Sequence, residues 1–374
     1  MLITKVEAIL LRPPGPINPD IADGSQDALI VRVHTDAGIV GVGEVDSSPH
    51  VAKAVIEAPA SHKIASGLAA LIVGEEPFQI GRLWRKMYEG SIYYGRRGVV
   101  LHAMSGIEIA LWDVVGKALG QPVHALVGGK QRDRVKAYAS TLMPETPEAA
   151  ARAVATQREA GFDAVKLGWG PLGRSAELDV ALVKAAREVG GDDFDLMIDV
   201  GFGWNSARKA IDTVRRMEEY RPFWIEEPFL PDQYGKYAAL AAAVSTPIAA
   251  GEEEATLADF QRLVTEGGVE IVQPDVTRAG GISECLKVAD YARRVGCRCV
   301  LHAWSTGIIK AATLHVLAAM DEAEYMEYCV QTTELNQRLV PQKFPVVDGF
   351  VAVPDAPGLG IDLDEDVLRE YTVA

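Results

Sequence analysis

Seven ionisable residues recur at near-regular intervals through the middle of the chain: Lys166, Asp199, Glu226, Glu252, Asp275, His302 and Glu327. Each closes a short apolar run, and the steps between them are 33, 27, 26, 23, 27 and 25 residues. Unrelated surface charges would not keep such a register. Three successive members, Asp199, Glu226 and Glu252, are carboxylates. On adjacent strands about 4.8 Å apart they would converge on one point, where three anions require a cation. Oxygen ligands without Cys or His select a hard ion, Mg²⁺ first and Mn²⁺ as the alternative.

The second acid stands in "PFWIEEPF", residues 222–229, where an apolar run stops at two adjacent glutamates and a proline. A carboxylate taken out of water costs several kcal/mol unless something pairs with it. Alternation along a strand sends the two glutamates to opposite sides, so Glu226 is the inward ligand and Glu227 either supports the ligands from behind or serves a loop. In "GEEEA", Glu252 is preferred over Glu253 and Glu254 because it follows directly on the apolar run. The next runs end in "QPD" and "LHAW", which makes Asp275 and His302 neighbours. A carboxylate beside an imidazole fixes its tautomer and raises its pKa, giving a general base near neutral pH. Lys166, across from His302, has three roles open to it: binding a substrate carboxylate, acid–base chemistry, or a Schiff base. Trp169, Trp204 and Trp304 follow strand ends within a few residues. They either pack loops or wall in the apolar face of a sugar chain, with Trp169 and Trp304 as the substrate-binding candidates.

These residues need a scaffold that brings strand ends to one face. From about residue 130, the runs "VKAYAS", "AVKLG", "DLMIDV", "FWIEE", "PIAAGE", "IVQPD", "CVLHA" and "EYMEY" alternate with amphipathic helical stretches. Eight strands separated by helices predict an α/β fold, a closed parallel barrel of the TIM type. Residues 1–125 read differently. "ITKVEAILLR" and "DALIVRVHTDAGIVGVGEV" alternate as antiparallel strands with Asp36, Ala37 and Gly38 as a hairpin turn, and a helix over "GIEIALWDVVGKALG" ends at Gly120. This predicts an N-terminal α+β unit.

Composition narrows the function classes. A chain of 374 residues, 48% hydrophobic, can build more than one core. The net charge of −15 and the lack of a basic run argue against a nucleic-acid partner. No apolar run approaches 18 residues and no secretion signal is read, so the expectation is a cytoplasmic enzyme without a membrane partner. Cys285, Cys297, Cys299 and Cys329 lack CxxC spacing and are expected as reduced thiols.

Together these motifs resemble the enolase superfamily, in its mandelate racemase subgroup, over nearly the whole chain. Within that resemblance "IDV", "WIEEP" and "AGE" match the metal ligands, hence Asp199, Glu226 and Glu252. "QPDVTRAGG" and "LHAWSTG" match the catalytic dyad, hence Asp275 and His302. Glu327 in "EYMEY" matches the acid that hydrogen-bonds the substrate carboxylate and supports the enolate. The resemblance implies a (β/α)7β barrel over 126–335, a capping domain over 1–125 and a segment, 336–374, that returns to it. It also implies Mg²⁺-assisted removal of the proton α to a carboxylate, with a small-molecule carboxylate as substrate and a homo-oligomer, dimer or octamer, as assembly. "RPPGPINPDIADG", residues 12–24, resembles the mobile loop that closes over the substrate.

Two departures redirect the expected reaction. Where the racemase pattern has a second lysine, "KLG" has Gly168 after Lys166; where it has an asparagine, "DVG" has Gly201. A racemase needs a base on each face of the carbon acid, and the usual second base is missing. The reading is therefore a carbon–oxygen lyase, dehydrating an acid sugar (aldonate or aldarate) to a 2-keto-3-deoxy acid, with His302 removing the proton and then protonating the departing hydroxide. A racemase or epimerase is the alternative, and a Schiff-base aldolase or a non-catalytic sugar-acid binder stands behind it.

Overall fold

Buried side chains alternate with half-buried ones from Val6 to Leu10 along β1 (Ile3–Leu11), a strand paired antiparallel with β2 (Ala28–Thr35), which pairs with β3 (Val40–Val45). The computed structural model describes residues 1–18 and 24–373. Residues 19–23, within the segment expected to close over the substrate, lie outside the described residues. Gly38, in the turn between β2 and β3, takes the left-handed φ of 75° that glycine adopts without strain.

Helix Val99–Leu119 packs against this sheet, with Ile107, Leu111, Val114 and Val115 buried, and ends at Gly120 in the left-handed conformation. By length and mean hydropathy (1.5) it could cross a membrane, yet 89% of its apolar window is buried inside the protein, as in a core helix. Its acids tie distant segments together. Asp113 accepts the Val42 and Leu359 amides at 2.9 and 2.8 Å, and Glu108 accepts those of Ile282 and Ser283 at 2.8 and 3.0 Å.

The larger part is a ring of parallel strands in chain order: β4 (Arg134–Leu142), β5 (Ala164–Gly168), β6 (Asp195–Asp199), β7 (Trp224–Glu226), β8 (Ile248–Ala250), β9 (Ile271–Val272), β10 (Arg298–Cys299) and β11 (Met326–Cys329). β11 pairs with β4, which brings the last strand back beside the first. β12 (Val346–Val347) and β13 (Phe350–Ala352) form a hairpin added antiparallel to the start of β4. Helices connect the strands, and hydroxyls of Thr146, Ser175, Ser206 and Thr306 cap four of them.

The expected closure needs one correction. Among the described residues no backbone pairing joins β10 to β11. The ladder thins there because β9 and β10 are two residues long and Pro274 has no N–H to extend it. A side chain spans the gap instead, as Glu327 Oε2 accepts the Ala303 amide at 2.8 Å. Inside the ring, Tyr138, Ala164, Met197, Trp224, Ala249, Ile271, Val300 and Tyr325 pack as one buried layer, a residue from each strand position.

Candidate active site

Strand alternation builds the site directly on that layer. Two positions beyond its members, on the same inward side, stand Ser140, Lys166, Asp199, Glu226, Gln273, His302 and Glu327. Glu252 comes three positions after Ala249, past Gly251 at φ 129°, and Asp275 lies two beyond Gln273.

One oxygen each of Asp199, Glu226 and Glu252 falls within 4.8 Å of the other two, and all three side chains are buried. Burial and the nearby Glu226 charge push the Asp199 carboxyl well above the usual carboxylate range, and burial raises Glu226 as well. Three crowded oxyanions in a dry site, with no thiolate or imidazole among them, fit a hard divalent cation, whose charge would reverse that penalty. Glu226 is also oriented from behind: its Oε2 accepts Trp224 Nε1 and Gln273 Nε2, each at 2.8 Å. Glu227 faces away from the cluster, accepting the Gly251 amide and the Tyr237 hydroxyl at 2.7 Å each. Glu254 accepts the Tyr234 hydroxyl at 3.1 Å, and Glu253 stands 3.4 Å from Arg278.

His302 Nδ1 donates to Asp275 Oδ2 at 2.6 Å, while Asp275 Oδ1 accepts the amide and hydroxyl of Thr277 at 2.6 and 2.5 Å. That leaves Nε2 facing the cleft, 3.6 Å from Glu252 Oε2 and 3.8 Å from Glu327 Oε2. Burial opposes the imidazolium, but Glu252, Glu327 and Asp275 overcome it and lift the pKa to about 10. A cation taking up the charge of Glu252 would lower it from there.

Lys166 Nζ lies 2.5 Å from Glu226 Oε1 and 2.8 Å from Glu327 Oε1, wholly buried. Burial disfavours the ammonium, yet Glu226 and Glu327 raise its pKa well above the lysine range. A lysine so held is a poor base and a poor imine former. Glu327 also accepts the Ser140 hydroxyl at 2.7 Å; despite its burial, Lys166 and His302 bring it to about 2.

The cleft above these groups is lined by Lys166, Gly168, Trp169, Glu252, Arg278 and Trp304, among others. Trp169 and Trp304 therefore stand where the sugar wall was expected. Trp204 does not: it is 7% exposed and donates to Asp179 at 2.9 Å, so it packs a loop. The two departures from the racemase pattern serve close approaches. A side chain on Gly201 would strike the Trp169 ring at 2.5 Å, and one on Gly168 would strike Asp199.

Sequence reasoning missed Ser140, Gln273, Arg278 and Asp46. Ser140 and Gln273 carried a signal, since each is a polar residue at a strand end. Arg278, three residues after Asp275, bonds Asp46 at 2.7 Å and approaches Glu252 at 3.4 Å. Asp46 follows β3 in the N-terminal unit, and nothing local marks it as reaching the barrel.

Residues 8–128 match the model for the mandelate racemase/muconate lactonizing enzyme N-terminal domain, and residues 148–367 match the enolase C-terminal domain-like model. The chain is 36% identical over 355 residues to a D-galactonate dehydratase of Xanthomonas oryzae pv. oryzae, covering 91% of this chain and 90% of that protein. It is 33% identical over 355 residues to a D-galactarolactone cycloisomerase of Agrobacterium fabrum, covering 92% and 90% respectively. Its fold is similar to that of the 3,6-anhydro-D-galactonate cycloisomerase of Zobellia galactanivorans, with a TM-score of 0.89, 30% identity and 100% coverage of both chains. A mandelate racemase/muconate lactonizing enzyme structure from Jannaschia sp. CCS1 aligns with a TM-score of 0.88 and 30% identity, covering 100% of this chain and 98% of that one.

Proposed function

The chain belongs to the mandelate racemase/muconate lactonizing enzyme family of the enolase superfamily, and on that premise we propose a reaction: it removes the proton α to the carboxylate of an acid sugar and expels the β-hydroxyl as water. The observation that carries this reading is a cleft with one base among the described residues. His302, oriented by Asp275, is open to the α-carbon, whereas Lys166 on the other side is held as an ammonium by Glu226 and Glu327. Gly168 brings no second base.

In this reaction His302 Nε2 takes the α-proton, and the C–H electron pair moves toward the substrate carboxylate. The imidazolium then returns a proton to the β-hydroxyl as its C–O bond breaks and water leaves. The enol that remains takes a proton at the β-carbon to become the 2-keto-3-deoxy acid. A divalent cation held by Asp199, Glu226 and Glu252, Mg²⁺ by its oxygen ligands, would supply positive charge to the substrate carboxylate while the α-proton is lost. Lys166 binds the same carboxylate, which draws the ammonium from Glu327. Glu327 then loses its counter-charge, its pKa rises, and with a proton taken up from solvent as the substrate binds it can donate a hydrogen bond to the enolate oxygen.

Charge matching favours an aldonate over an aldarate. Among the described residues the two permanent cations at the cleft are already answered, Lys166 by Glu226 and Glu327, and Arg278 by Asp46, Glu252 and Glu253. A second carboxylate at the far end of a diacid would enter a field of excess negative charge, whereas hydroxyls against Trp169 and Trp304 would not.

A screen of aldonates and aldarates with Mg²⁺ for 2-keto acid formation tests the reading. Turnover of aldonates is the expected result; no keto acid from any acid sugar overturns it. His302→Asn should lose both dehydration and exchange of the α-proton with solvent deuterium. Exchange that persisted would make Lys166 a competent base and restore the racemase. Similarity to two cycloisomerases favours a second reading, in which the same first proton transfer leads to isomerisation, and a product of unchanged mass would identify it. The reduced thiols of Cys285, Cys297 and Cys299 suit a reducing compartment, so we place the protein in the cytoplasm. Homo-oligomeric assembly and the division at 125 and 335 belong to the same reading; sedimentation and limited proteolysis test them.

A further inference from the structure

Away from the catalytic cleft, one cavity brings two lysines together without an acid. It has a volume of about 340 Å³ and lies between the end of helix Pro147–Glu159, helix Gly307–Ala319, the end of β11 and residues 331–345. No Asp or Glu lines it; two lysines, Lys310 and Lys343, do, together with five carboxamide side chains that include Gln331, Asn336 and Gln342. Two other cavities of this chain, whose net charge is −15, are lined by acids, Asp290, Asp321 and Glu322 in one and Glu177, Asp179 and Asp212 in the other.

Lys310 is 6% exposed. Its ammonium reaches Cys329 O at 3.4 Å and Asn336 Oδ1 at 3.3 Å, and lies 4.3 Å from the centre of the Tyr328 ring. The two hydrogen bonds are long, the Tyr328 ring meets the ammonium with its π face, and no carboxylate pairs with it among the described residues. Glu44, whose charge is felt there, is turned toward Thr306 and Ile309. Burial, reinforced by Lys343, holds the Lys310 pKa below the usual lysine range. Lys343 is exposed, donates to Gln337 O at 2.6 Å and to Val340 O at 3.4 Å, and likewise has no carboxylate partner among the described residues. A buried ammonium without a counter-ion costs several kcal/mol, which an anion in the cavity would offset.

We propose that this cavity is a second binding site, taking a small oxyanion such as phosphate or a short hydroxy-carboxylate. Lys310 and Lys343 meet the charge, and the carboxamides donate to the remaining oxygens. The site is distinct from the catalytic cleft. A smaller cavity between them shares Cys329, Gln331 and Asn336 with the one and Gly24 and Trp304 with the other.

Calorimetric titration of the Mg²⁺-loaded protein with inorganic phosphate and, separately, with D-glycerate tests the assignment. The expected result is saturable binding of at least one anion that weakens by about tenfold or more in Lys343→Gln and in Lys310→Met but persists in Asp199→Asn. Which anion binds identifies the source. Binding that ignores both lysine substitutions, or that disappears in Asp199→Asn, puts the anion in the catalytic cleft and overturns the proposal. The absence of saturable binding for both anions overturns it too. Because Lys343 is exposed, Lys343→Gln alone decides the matter if Lys310→Met does not fold.

Discussion

The backbone of Gly168 passes so close to Asp199 that a methyl group there would lie 2.6 Å from Asp199 Oδ2 and 2.9 Å from Asp199 Cβ. The glycine that replaces a second base thus makes room for a carboxylate of the acidic cluster. Gly168→Ala should displace Asp199 and weaken divalent-metal binding by about 10–100-fold, the range for a residue that supports a ligand. Gly168→Lys should fail to create a racemase for the same reason. Calorimetric metal titration checks the first, and unchanged affinity would mean that Asp199 relaxes freely.

Glu226 and Glu227 are adjacent and equally buried, but only Glu226 faces the cluster. Burial, with Glu252 adding to it, pushes Glu227 to about 8, so near neutral pH it is largely uncharged. A glutamine resembles that state and keeps an acceptor for one of its two partners. Glu227→Gln should therefore bind Mg²⁺ within a few-fold of the parent. Glu226→Gln should lose more than the roughly 10–100-fold that a supporting group costs. Manganese binding followed by electron paramagnetic resonance would separate the two, and equal losses would undo the ligand assignment.

What the sequence revealed follows from period two. Lys166, Asp199, Glu226, His302 and Glu327 each stand two residues beyond a member of the buried inner layer, so register alone announced them. The same rule would have found Ser140 and Gln273, had neutral polar residues been counted with the charged ones. It could not find Asp46 or Arg278, which meet at 2.7 Å across 232 positions of chain. A contact between separate units has no period. The missing pairing between β10 and β11 was hidden for a similar reason, because an apolar run shows that a strand exists but not how far its ladder extends.

The tryptophans divide by environment although their positions in the sequence look alike. Trp204 is a buried donor to Asp179, so Trp204→Phe should cost about 1–3 kcal/mol of stability and leave kcat/KM nearly unchanged. Trp169 and Trp304 border the cleft and are partly exposed. Trp169→Ala and Trp304→Ala should raise KM with little change in Tm. Thermal melts paired with steady-state kinetics read both quantities, and a KM effect confined to Trp204→Phe would reverse the assignment.

Glu44 on β3 couples the N-terminal unit to the barrel by capping a helix that follows the His302 strand. It accepts the Thr306 hydroxyl at 2.7 Å and the Ile309 amide at 3.1 Å, at the start of helix Gly307–Ala319. Burial raises its pKa from 4.5 to about 7, although the hydrogen bonds from Thr306 and Ile309 pull the other way. Between those two values the folded protein keeps a proton that the unfolded chain has released. The contribution of Glu44 to stability therefore falls as pH rises through that window and stays low above it. Glu44→Gln keeps an oxygen for Thr306 and Ile309 and removes the ionisation. The variant should melt above the parent at about pH 8, with the difference shrinking as pH falls toward about 5, where Glu44 in the folded parent is already protonated. Paired melting curves at the two pH values measure this. A variant that melts below the parent at the higher pH would mean that the helix N-terminus stabilises an ionised Glu44 by more than burial costs it.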